Sequence, residues 1–318
     1  MYTLGIDIGS TSSKAVILED GNRIVARSLY ALGAGTSGAA RVIDNLFEKA
    51  NLSWGDIAYC IATGYGRQRF EQANEEISEL SCHALGMNHL LPGIRTIIDI
   101  GGQDVKVLSL NDQGMLENFV MNEKCAAGTG RFLDVMAGVL ETTTDELGNL
   151  DAQATDPVKI SSTCTVFAES DLVHKIQMGH TKEDIIAGLC RSVVNNYLNN
   201  VGKGKKIVSP VVFQGGVSKN IGVVEAFKKA LGCDIIVDEN GHLMGALGIA
   251  ILAGKGNKKK VFDFSVEDMV FKTREINCGR CPNNCEIICV YRDDMLIDSW
   301  GNRCDKGALK AGTRTGVK

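Results

Sequence analysis

The sequence is poor in the features that mark membrane, secreted and nucleic-acid-binding proteins. No apolar run reaches the roughly 18 residues that a membrane-spanning helix needs. The start MYTLGIDIGS has neither the charged region nor the cleavage site of a signal peptide. No basic block is longer than GKGKK or KGNKKK, and the net charge is −4. These absences predict a cytoplasmic protein with no nucleic-acid partner and no membrane partner.

A disulfide framework is not expected either, although the chain has 11 cysteines. Cytosolic compartments keep thiols reduced, so metal binding and buried free thiols are the two alternatives. Four cysteines stand in apolar or helical contexts and are predicted to be buried core thiols. These are Cys60, Cys82, Cys190 and Cys233. The length of 318 residues allows two domains, each with its own core.

Aromatic residues are scarce at 6%, whereas glycine occurs 36 times, and we expect turns to account for the glycine. Two stretches, LGIDIGSTSSKAVIL at 4–18 and IIDIGGQDVKVLSL at 97–110, form an internal repeat. Each has a lysine seven residues after an aspartate, Asp7 or Asp99. Apolar β-branched residues on both sides of a polar tip predict a β-hairpin. The P-loop pattern, in which a helix follows the strand, does not occur in the sequence.

The tips of the predicted hairpins carry groups that suit a nucleotide polyphosphate. Glycine lets backbone N–H groups approach anionic oxygens, polar side chains add neutral donors, and a lysine adds positive charge. Hydrated Mg²⁺ prefers a few carboxylates together with water and phosphate oxygens. The predicted phosphate contacts are Gly9, Ser10, Thr11, Ser12, Lys14, Gly101, Gly102 and Gln103, and the predicted Mg²⁺ carboxylates are Asp7, Asp99 and Asp104.

Two further glycine-rich segments follow. VVFQGGVSKNIGVVEAF at 211–227 predicts a strand, a double glycine and a helix that begins near Val217 or Ser218. GHLMGALGIAILAG at 241–254 predicts another helix start punctuated by glycine. A double glycine after a strand allows a flat base or ribose to lie on the backbone.

In this order the motifs resemble those of the actin-like ATPase superfamily, which includes sugar kinases, Hsp70 and actin. DIGSTSSK and DIGGQDVK match its two phosphate motifs, FQGGVSKN its adenosine motif, and AAGTGRFLD and MGALGIA its two connecting helices. The resemblance implies an α/β fold of two RNase H-like domains, 1–95 completed by 243–254, and 96–242, with ATP between them. It assigns catalytic roles to Asp7, Asp99 and Gln103. The further ATP contacts that it implies are Gly128, Thr129, Gly130, Gly215, Gly216, Val217, Asn220, His242 and Gly245.

Two cysteines each stand at the entrance of a predicted helix. Cys125 lies in VMNEKCAAGTGRFLDVM and Cys164 in ISSTCTVFAESDLV. The unsatisfied N–H groups at a helix N-terminus stabilise a thiolate, so both positions suit an anionic group held by sulfur. Two thiolates in one chain are too few for an iron–sulfur cubane or a closed metal site.

The two cysteine segments, with ATGYGR, ELSCHA and IDIGGQDVKV, closely resemble the ATP-dependent activators of 2-hydroxyacyl-CoA dehydratases, which are related to the ATPase subunits of benzoyl-CoA reductase. The resemblance covers residues 1 to about 254. It implies a homodimer in which Cys125 and Cys164 of each protomer together bind one [4Fe–4S] cluster. The implied electron donor is a reduced ferredoxin or flavodoxin. The implied acceptor is an iron–sulfur partner, either a 2-hydroxyacyl-CoA dehydratase or a related double-cubane reductase.

The C-terminal region, 255–318, is predicted to be a polar linker followed by a small Cys-rich hairpin module. Its cysteine spacing is typical of metal ligands but matches neither a zinc ribbon nor a bacterial ferredoxin. Zinc, a second iron–sulfur cluster and simple reduced thiols all remain open here. The candidate ligands are Cys278, Cys281, Cys285 and Cys304, and Cys289 is expected not to be a ligand.

Two other functions stay open at the level of the sequence. An actin-like small-molecule kinase would need a general base in the cleft and no iron. A chaperone-type ATP-dependent switch would use Cys125 and Cys164 only as core thiols. A colourless purified protein would favour either of these over electron transfer.

Overall fold

The computed structural model describes residues 1–160, 164–202, 207–255, 271–280, 286–292 and 295–300. The chain forms two compact units, Met1–Gly256 and Asn257–Lys318. Within the described residues, no helix combines the length and the apolar character needed to cross a membrane. The first unit contains two five-stranded sheets, and the second contains a three-stranded sheet.

The first sheet has the strand order β3-β2-β1-β4-β5. Its strands are β1 (Tyr2–Ile8), β2 (Ser13–Glu19), β3 (Arg23–Tyr30), β4 (Ile57–Thr63) and β5 (Glu75–Glu76). Helix α1 (Gly38–Ala50) contacts β2 and β3, and α8 (Met244–Gly254) contacts β1, β2 and β4. Strand β1 is buried along nearly its whole length. Burial on both faces explains why it reads as an almost continuous apolar run.

The second sheet repeats this plan with the order β10-β9-β6-β7-β8. Its strands are β6 (Thr96–Ile100), β7 (Val105–Leu110), β8 (Leu116–Asn122), β9 (Val211–Gln214) and β10 (Ile235–Ile236). The helices between these strands are α3 (Gly130–Val139), α4 (Thr144–Asp151), α5 (Thr165–Gln177), α6 (Lys182–Tyr197) and α7 (Ile221–Leu231). Phe132, Phe213 and Phe227 lie in the fully buried core that these elements enclose.

Both predicted hairpins are confirmed, and their registers match. Strand β1 pairs antiparallel with β2 so that Asp7 lies opposite Lys14. Strand β6 pairs antiparallel with β7 so that Asp99 lies opposite Lys106. The seven-residue spacing in the sequence is therefore the cross-strand pairing of an acid and a base at the end of each hairpin.

Helix α2 (Glu79–Leu90) packs against α8 through glycine, which turns alone do not explain. A Cβ atom on Gly248 would lie 2.0 Å from the Cys82 carbonyl oxygen, and one on Gly86 would lie 2.4 Å from the Met244 oxygen. A Cβ atom on Gly5 of β1 would lie 2.1 Å from the Ala246 oxygen. Part of the glycine excess thus allows close backbone contact around the buried helix α8.

The helix predicted to begin near Val217 or Ser218 begins later. A single 3-10 turn occupies Gly216–Lys219, and α7 starts at Ile221. The Asn220 side chain accepts a hydrogen bond from the Val223 N–H at 3.2 Å and caps this helix. Asparagine is a favoured N-cap residue, and this cap sets the start of the helix.

All strands of the first sheet come from residues 2–76, and all strands of the second come from residues 96–236. The domain boundaries given above stay predictions. In the C-terminal unit, β11 (Phe271–Asn277), β12 (Glu286–Arg292) and β13 (Met295–Trp300) pair in an antiparallel sheet. Cys289 is fully buried and Cys278 is partly buried. Cys281, Cys285 and Cys304 lie outside the described residues, so the predicted metal site there stays a prediction.

Candidate functional site

The ends of both hairpins open into one cleft with a volume of about 310 Å³. The two hairpin tips are in contact, because a Cβ atom on Gly102 would lie only 2.1 Å from the Thr11 hydroxyl oxygen. The structure brings most of the predicted nucleotide contacts to this cleft. They are Asp7, Gly9, Ser10, Thr11, Ser12, Lys14, Asp99, Gly101, Gly102, Asp104, Gly130, Gly215, Gly216, Val217, Asn220 and His242.

Four predicted residues lie away from the cleft lining. Gln103 is exposed, and Gly128 uses a positive φ of +86° while packing against Asn196 of α6. Thr129 caps α3, and its hydroxyl donates to the Ala126 carbonyl at 2.7 Å. Gly245 lies behind Asp7, where its missing side chain leaves space for the carboxylate, since a Cβ atom would be 2.8 Å from Oδ2.

The second Asp–Lys pair is more deeply buried and more extensively paired than the first. Lys14 Nζ lies 3.3 Å from Asp7 Oδ2, and the Lys14 side chain is 19% exposed. The Lys106 side chain is only 4% exposed, and its Nζ lies 3.5 Å from Asp99 Oδ2 and 3.1 Å from Glu79 Oε1. It also contacts the Asp104 carboxylate directly. Lys106 therefore balances three carboxylates at one side of the cleft.

Charge pairing decides the ionisation of this cluster. Burial by itself would raise the pKa of Asp99, but the charges of Lys106 and His83 bring that pKa below its usual value. Burial by itself would lower the pKa of Lys106, and the nearby carboxylates raise it well above its usual value. Asp99 is therefore ionised and Lys106 is protonated at neutral pH.

His83 on α2 lies between two elements of the second sheet. Its Nδ1 lies within hydrogen-bond distance, 2.8 Å, of the Gln214 side-chain amide nitrogen. Its Nε2 faces Asp99 Oδ2 at 3.9 Å.

Gly215 gives the cleft its close approach to β6. Its φ is +86°, and a Cβ atom there would lie 2.2 Å from the Ile100 carbonyl and 2.7 Å from Asp99 Oδ1. Only glycine fits this conformation and this space. The double glycine predicted from the sequence therefore lies directly beside the acidic end of the second hairpin.

Several residues that line the cleft were not predicted from the sequence. Lys106 carried a signal, namely the same seven-residue spacing as Lys14. Most of the others lie within the motifs that carry the family resemblance, but at positions to which no phosphate pattern assigns a contact. Besides Lys106, the residues are Leu29, Tyr65, Glu79, His83, Leu133, Asp134, Thr144, Asp145, Lys219 and Gly241.

His242 lines the cleft in a basic environment, and we expect its imidazole to stay neutral over the whole physiological range. Burial, followed by the charges of Lys219 and Lys14, lowers the pKa of His242 to about 4. An NMR titration of the ring protons should therefore give a midpoint near 4 and no transition near the usual value of about 6.5. A His242→Gln variant, which lacks this ring, assigns the signal. A His242 midpoint above 6 would contradict the prediction.

Cys125 and Cys164 lie in the second-sheet half of the same unit. Cys125 is exposed in the segment that joins β8 to α3, five residues before the helix starts. Cys164 is partly buried and is the N-cap residue of α5. The helix after Cys164 has exposed apolar side chains, with Val166 and Phe167 each 67% exposed. Within the described ranges, no group of three or more His, Cys, Asp or Glu residues could hold a metal ion in a single chain.

Each hairpin carries an Asp–Lys pair at its end, and both hairpins open into one cleft between two mixed α/β sheets. This arrangement is that of an ATPase of the actin-like fold. The chain belongs to the BadF/BadG/BcrA/BcrD ATPase family, whose model matches residues 4–253. It is 52% identical over 260 residues to an activator of lactoyl-CoA dehydratase from Anaerotignum propionicum, covering 82% of this chain and 100% of the relative.

Solved structures agree with this assignment. An activator of 2-hydroxyisocaproyl-CoA dehydratase from Clostridium difficile with bound ADPNP matches with a TM-score of 0.79 and 47% identity. The match covers 83% of this chain and 100% of that one. Component A of (R)-2-hydroxyglutaryl-CoA dehydratase from Acidaminococcus fermentans matches with a TM-score of 0.77 and 50% identity, over 80% and 98% of the two chains. The chain is accordingly an ATP-binding ATPase with the fold of these activators.

Proposed function

We propose that this protein uses ATP hydrolysis to drive electrons from a reduced ferredoxin or flavodoxin to an iron–sulfur partner enzyme. The partner would be a 2-hydroxyacyl-CoA dehydratase or a related double-cubane reductase. The names of the relatives, which are activators of dehydratases, support this class of partner. The observation that carries the proposal is that one compact unit combines the nucleotide cleft with an exposed cysteine and a helix-capping cysteine.

Cys125 and Cys164 would bind a [4Fe–4S] cluster together with the same two residues of a second protomer. A twofold axis doubles the two sulfurs of one chain to the four that such a cluster needs. The exposure of Cys125 and the N-cap position of Cys164 suit this role, because a ligand shared between subunits has to lie at the surface. When bound, a cluster of this type takes up and releases single electrons at low potential.

The surface beside Cys164 supports the homodimer. Val166, Val173 and Ile176 lie on one side of α5, seven and three residues apart, and are 67%, 41% and 44% exposed. Exposed apolar side chains on one helix face are typical of protein–protein contacts. Dimer formation through this face would cover them and bring two copies of Cys164 near the twofold axis.

In the cleft, we assign the phosphates of ATP to the glycine and hydroxyl groups of the hairpin tips and to Lys14. Asp7 and Asp99 would hold hydrated Mg²⁺ and orient the attacking water, with Gln103 as the third catalytic residue. Gln103 is at the tip of the second hairpin, so domain closure would have to bring it to the nucleotide. Asp104, the third predicted Mg²⁺ carboxylate, lines the cleft and also contacts Lys106.

The coupling of ATP to electron transfer requires that the two halves of the unit change their angle during turnover. ATP shifts such an equilibrium only by its difference in affinity for the two states, typically about 1–3 kcal/mol. Cys125 and Cys164 both follow elements of the second-sheet half, so their positions depend on that angle.

Anaerobic purification followed by iron and sulfide analysis tests the proposal. We expect the wild-type protein to be a dimer with about four iron and four sulfide ions, the content of one cubane. Cys125→Ala and Cys164→Ala should each lose most of this iron. Cys233→Ala is the matched control, because Cys233 is also a partly buried free cysteine but lies outside the proposed site. It should keep full iron content.

An iron-free, monomeric wild-type protein that still hydrolyses ATP would refute the proposal. Iron retained in both Cys125→Ala and Cys164→Ala would place the cluster elsewhere. If the cluster is present, ATPase turnover with and without the reduced partner then separates a coupled activator from an independent ATPase.

A further inference from the structure

Tyr65 connects the two halves of the ATPase unit at the edge of the cleft. Its side chain lines the cleft, and its hydroxyl lies 3.1 Å from Glu123 Oε2. Tyr65 follows β4 of the first sheet, whereas Glu123 follows β8 of the second. Glu123 is two residues before Cys125. This contact therefore joins the nucleotide cleft to the segment that carries the exposed cysteine.

The backbone around Tyr65 is fixed against the first phosphate hairpin. The Gly66 N–H donates to the Ile8 carbonyl at 2.9 Å. A Cβ atom on Gly64, whose φ is +84°, would lie 2.5 Å from Asp7 Oδ1. The flanking glycines thus let the turn pack directly on Asp7 and Ile8. A displacement of the first hairpin would carry Tyr65 with it, because there is no space between them.

The other end of the contact is also held locally. The Asn122 side chain accepts a hydrogen bond from the Lys124 N–H at 3.1 Å, which makes a tight turn around Glu123. Glu123 itself is exposed. Because the turn is short, a change in the position of Glu123 is transmitted along the backbone to Cys125.

The hydroxyl of Tyr65 is the hydrogen-bond donor in this contact. Burial, followed by the negative charges of Asp104 and Glu79, raises the pKa of Tyr65 above its usual value. The phenol therefore stays protonated and donates its hydrogen bond to Glu123 Oε2.

We infer that Tyr65 is a positioning residue that transmits the state of the nucleotide cleft, through Glu123, to the Cys125 segment. The inference rests on the proposed function, because Cys125 is the proposed cluster ligand. The contact itself depends only on the geometry of Tyr65, the first hairpin and the β8–α3 segment.

Hydrogen exchange of the full-length protein, prepared anaerobically, tests this role. We expect the amides of 116–129 to exchange at different rates with ADP and with ADPNP in the wild type. Tyr65→Phe keeps the ring and removes only the hydroxyl, so it should fold normally. Both nucleotides are added at saturating concentration, so that a change in affinity does not affect the comparison. The exchange difference should fall by roughly fivefold, as expected for the loss of one hydrogen bond.

Tyr59→Phe is the matched control. Its hydroxyl also faces a carboxylate, Glu75 Oε2 at 3.5 Å, but both residues belong to the first sheet. This variant should keep the wild-type exchange difference. Glu123→Ala should reproduce Tyr65→Phe, and the double variant should be no worse than either single one, because both remove the same contact.

An unchanged exchange difference in Tyr65→Phe would overturn the inference, and so would an equal loss in Tyr59→Phe. These results are independent of the proposed function. If the wild type binds a cluster and transfers electrons while Tyr65→Phe shows no exchange effect, only the link is wrong. If no cluster is found but Tyr65→Phe removes the difference, the link stands and the proposed function fails.

Discussion

Replacing Lys106 by methionine should destabilise the ATPase unit by about 3–5 kcal/mol and abolish ATP turnover. Lys106 is 4% exposed and balances Asp99, Asp104 and Glu79. Methionine keeps the length of the side chain but removes the charge, so three nearby carboxylates are left without their shared counterion. Removing one partner of a buried ionic cluster costs more than the cluster contributes, because the remaining charges stay desolvated.

Lys14→Met is the matched control for this prediction. It replaces the lysine at the equivalent position of the first hairpin, which is 19% exposed and pairs with Asp7 alone. Its cost should be smaller, because Lys14 is partly exposed and only one buried carboxylate, Asp7, loses its counterion. Urea unfolding of both variants measures the difference. An equal loss of unfolding free energy in the two variants would show that the buried cluster around Lys106 contributes no more to stability than the Lys14–Asp7 pair.

In Lys106→Met, the free energy of unfolding should depend on pH in the opposite direction to that of the wild type. In the wild type the pKa of Asp99 is lowered, so its stabilising contribution is present at neutral pH and is lost only on strong acidification. Without Lys106, burial dominates and raises that pKa. The folded variant then binds protons more readily than the unfolded chain, and its stability rises as pH falls from 7 toward 5. The gap in unfolding free energy between wild type and variant should therefore narrow in this range.

Replacing Asp7 by asparagine should reduce ATP turnover by roughly 10²–10⁴-fold, which corresponds to the several kcal/mol that a positioned metal ion contributes. Asp7 is 3% exposed, lies at the end of β1, and has Gly245 of α8 directly behind it. Asparagine has almost the same shape but cannot bind Mg²⁺ as a carboxylate does. The variant should fold normally, because its contact partner Lys14 retains access to solvent.

Steady-state turnover at saturating ATP measures this loss, with nucleotide affinity measured separately. Asp20→Asn serves as the control, because Asp20 is exposed and pairs with the chain's own N-terminal amine. That variant should retain wild-type turnover. Turnover above one tenth of wild type in Asp7→Asn would remove this residue from the catalytic set.

The phosphate hairpins were predictable because their information is local. Alternation of apolar residues, a polar glycine tip and the Asp-to-Lys spacing lie within about fifteen residues of each other, and the registers of Asp7 with Lys14 and Asp99 with Lys106 follow from them. Gly215 was predicted from the resemblance of FQGGVSKN to the adenosine motif, because a double glycine after a strand is common in α/β proteins and is weak evidence by itself. The predicted start of α7 was wrong by several residues, because the helix begins after its N-cap residue Asn220 and not at Val217 or Ser218.

Glu79, His83 and Tyr65 could not be predicted as parts of the cleft. Tyr65 lies in ATGYGR and the other two lie in ELSCHA, segments that carry the family resemblance but no phosphate-binding pattern. Helix α2 brings Glu79 and His83 to the second hairpin only because Gly86 and Gly248 allow it to pack closely on α8. The partners of Lys106 depend on that long-range packing, although its position opposite Asp99 does not.

By itself, the sequence determined the two hairpins and the residues at their tips, because short-range stereochemistry and glycine backbone freedom fix these. The fold and the family were predicted from the resemblance of the motifs. Only the tertiary structure determined which charged and polar side chains lie in contact. It placed three carboxylates around Lys106, lowered the pKa of His242 and set Tyr65 against Glu123. These contacts join residues distant along the chain, and electrostatic interactions depend on distance and burial, which only the folded chain defines.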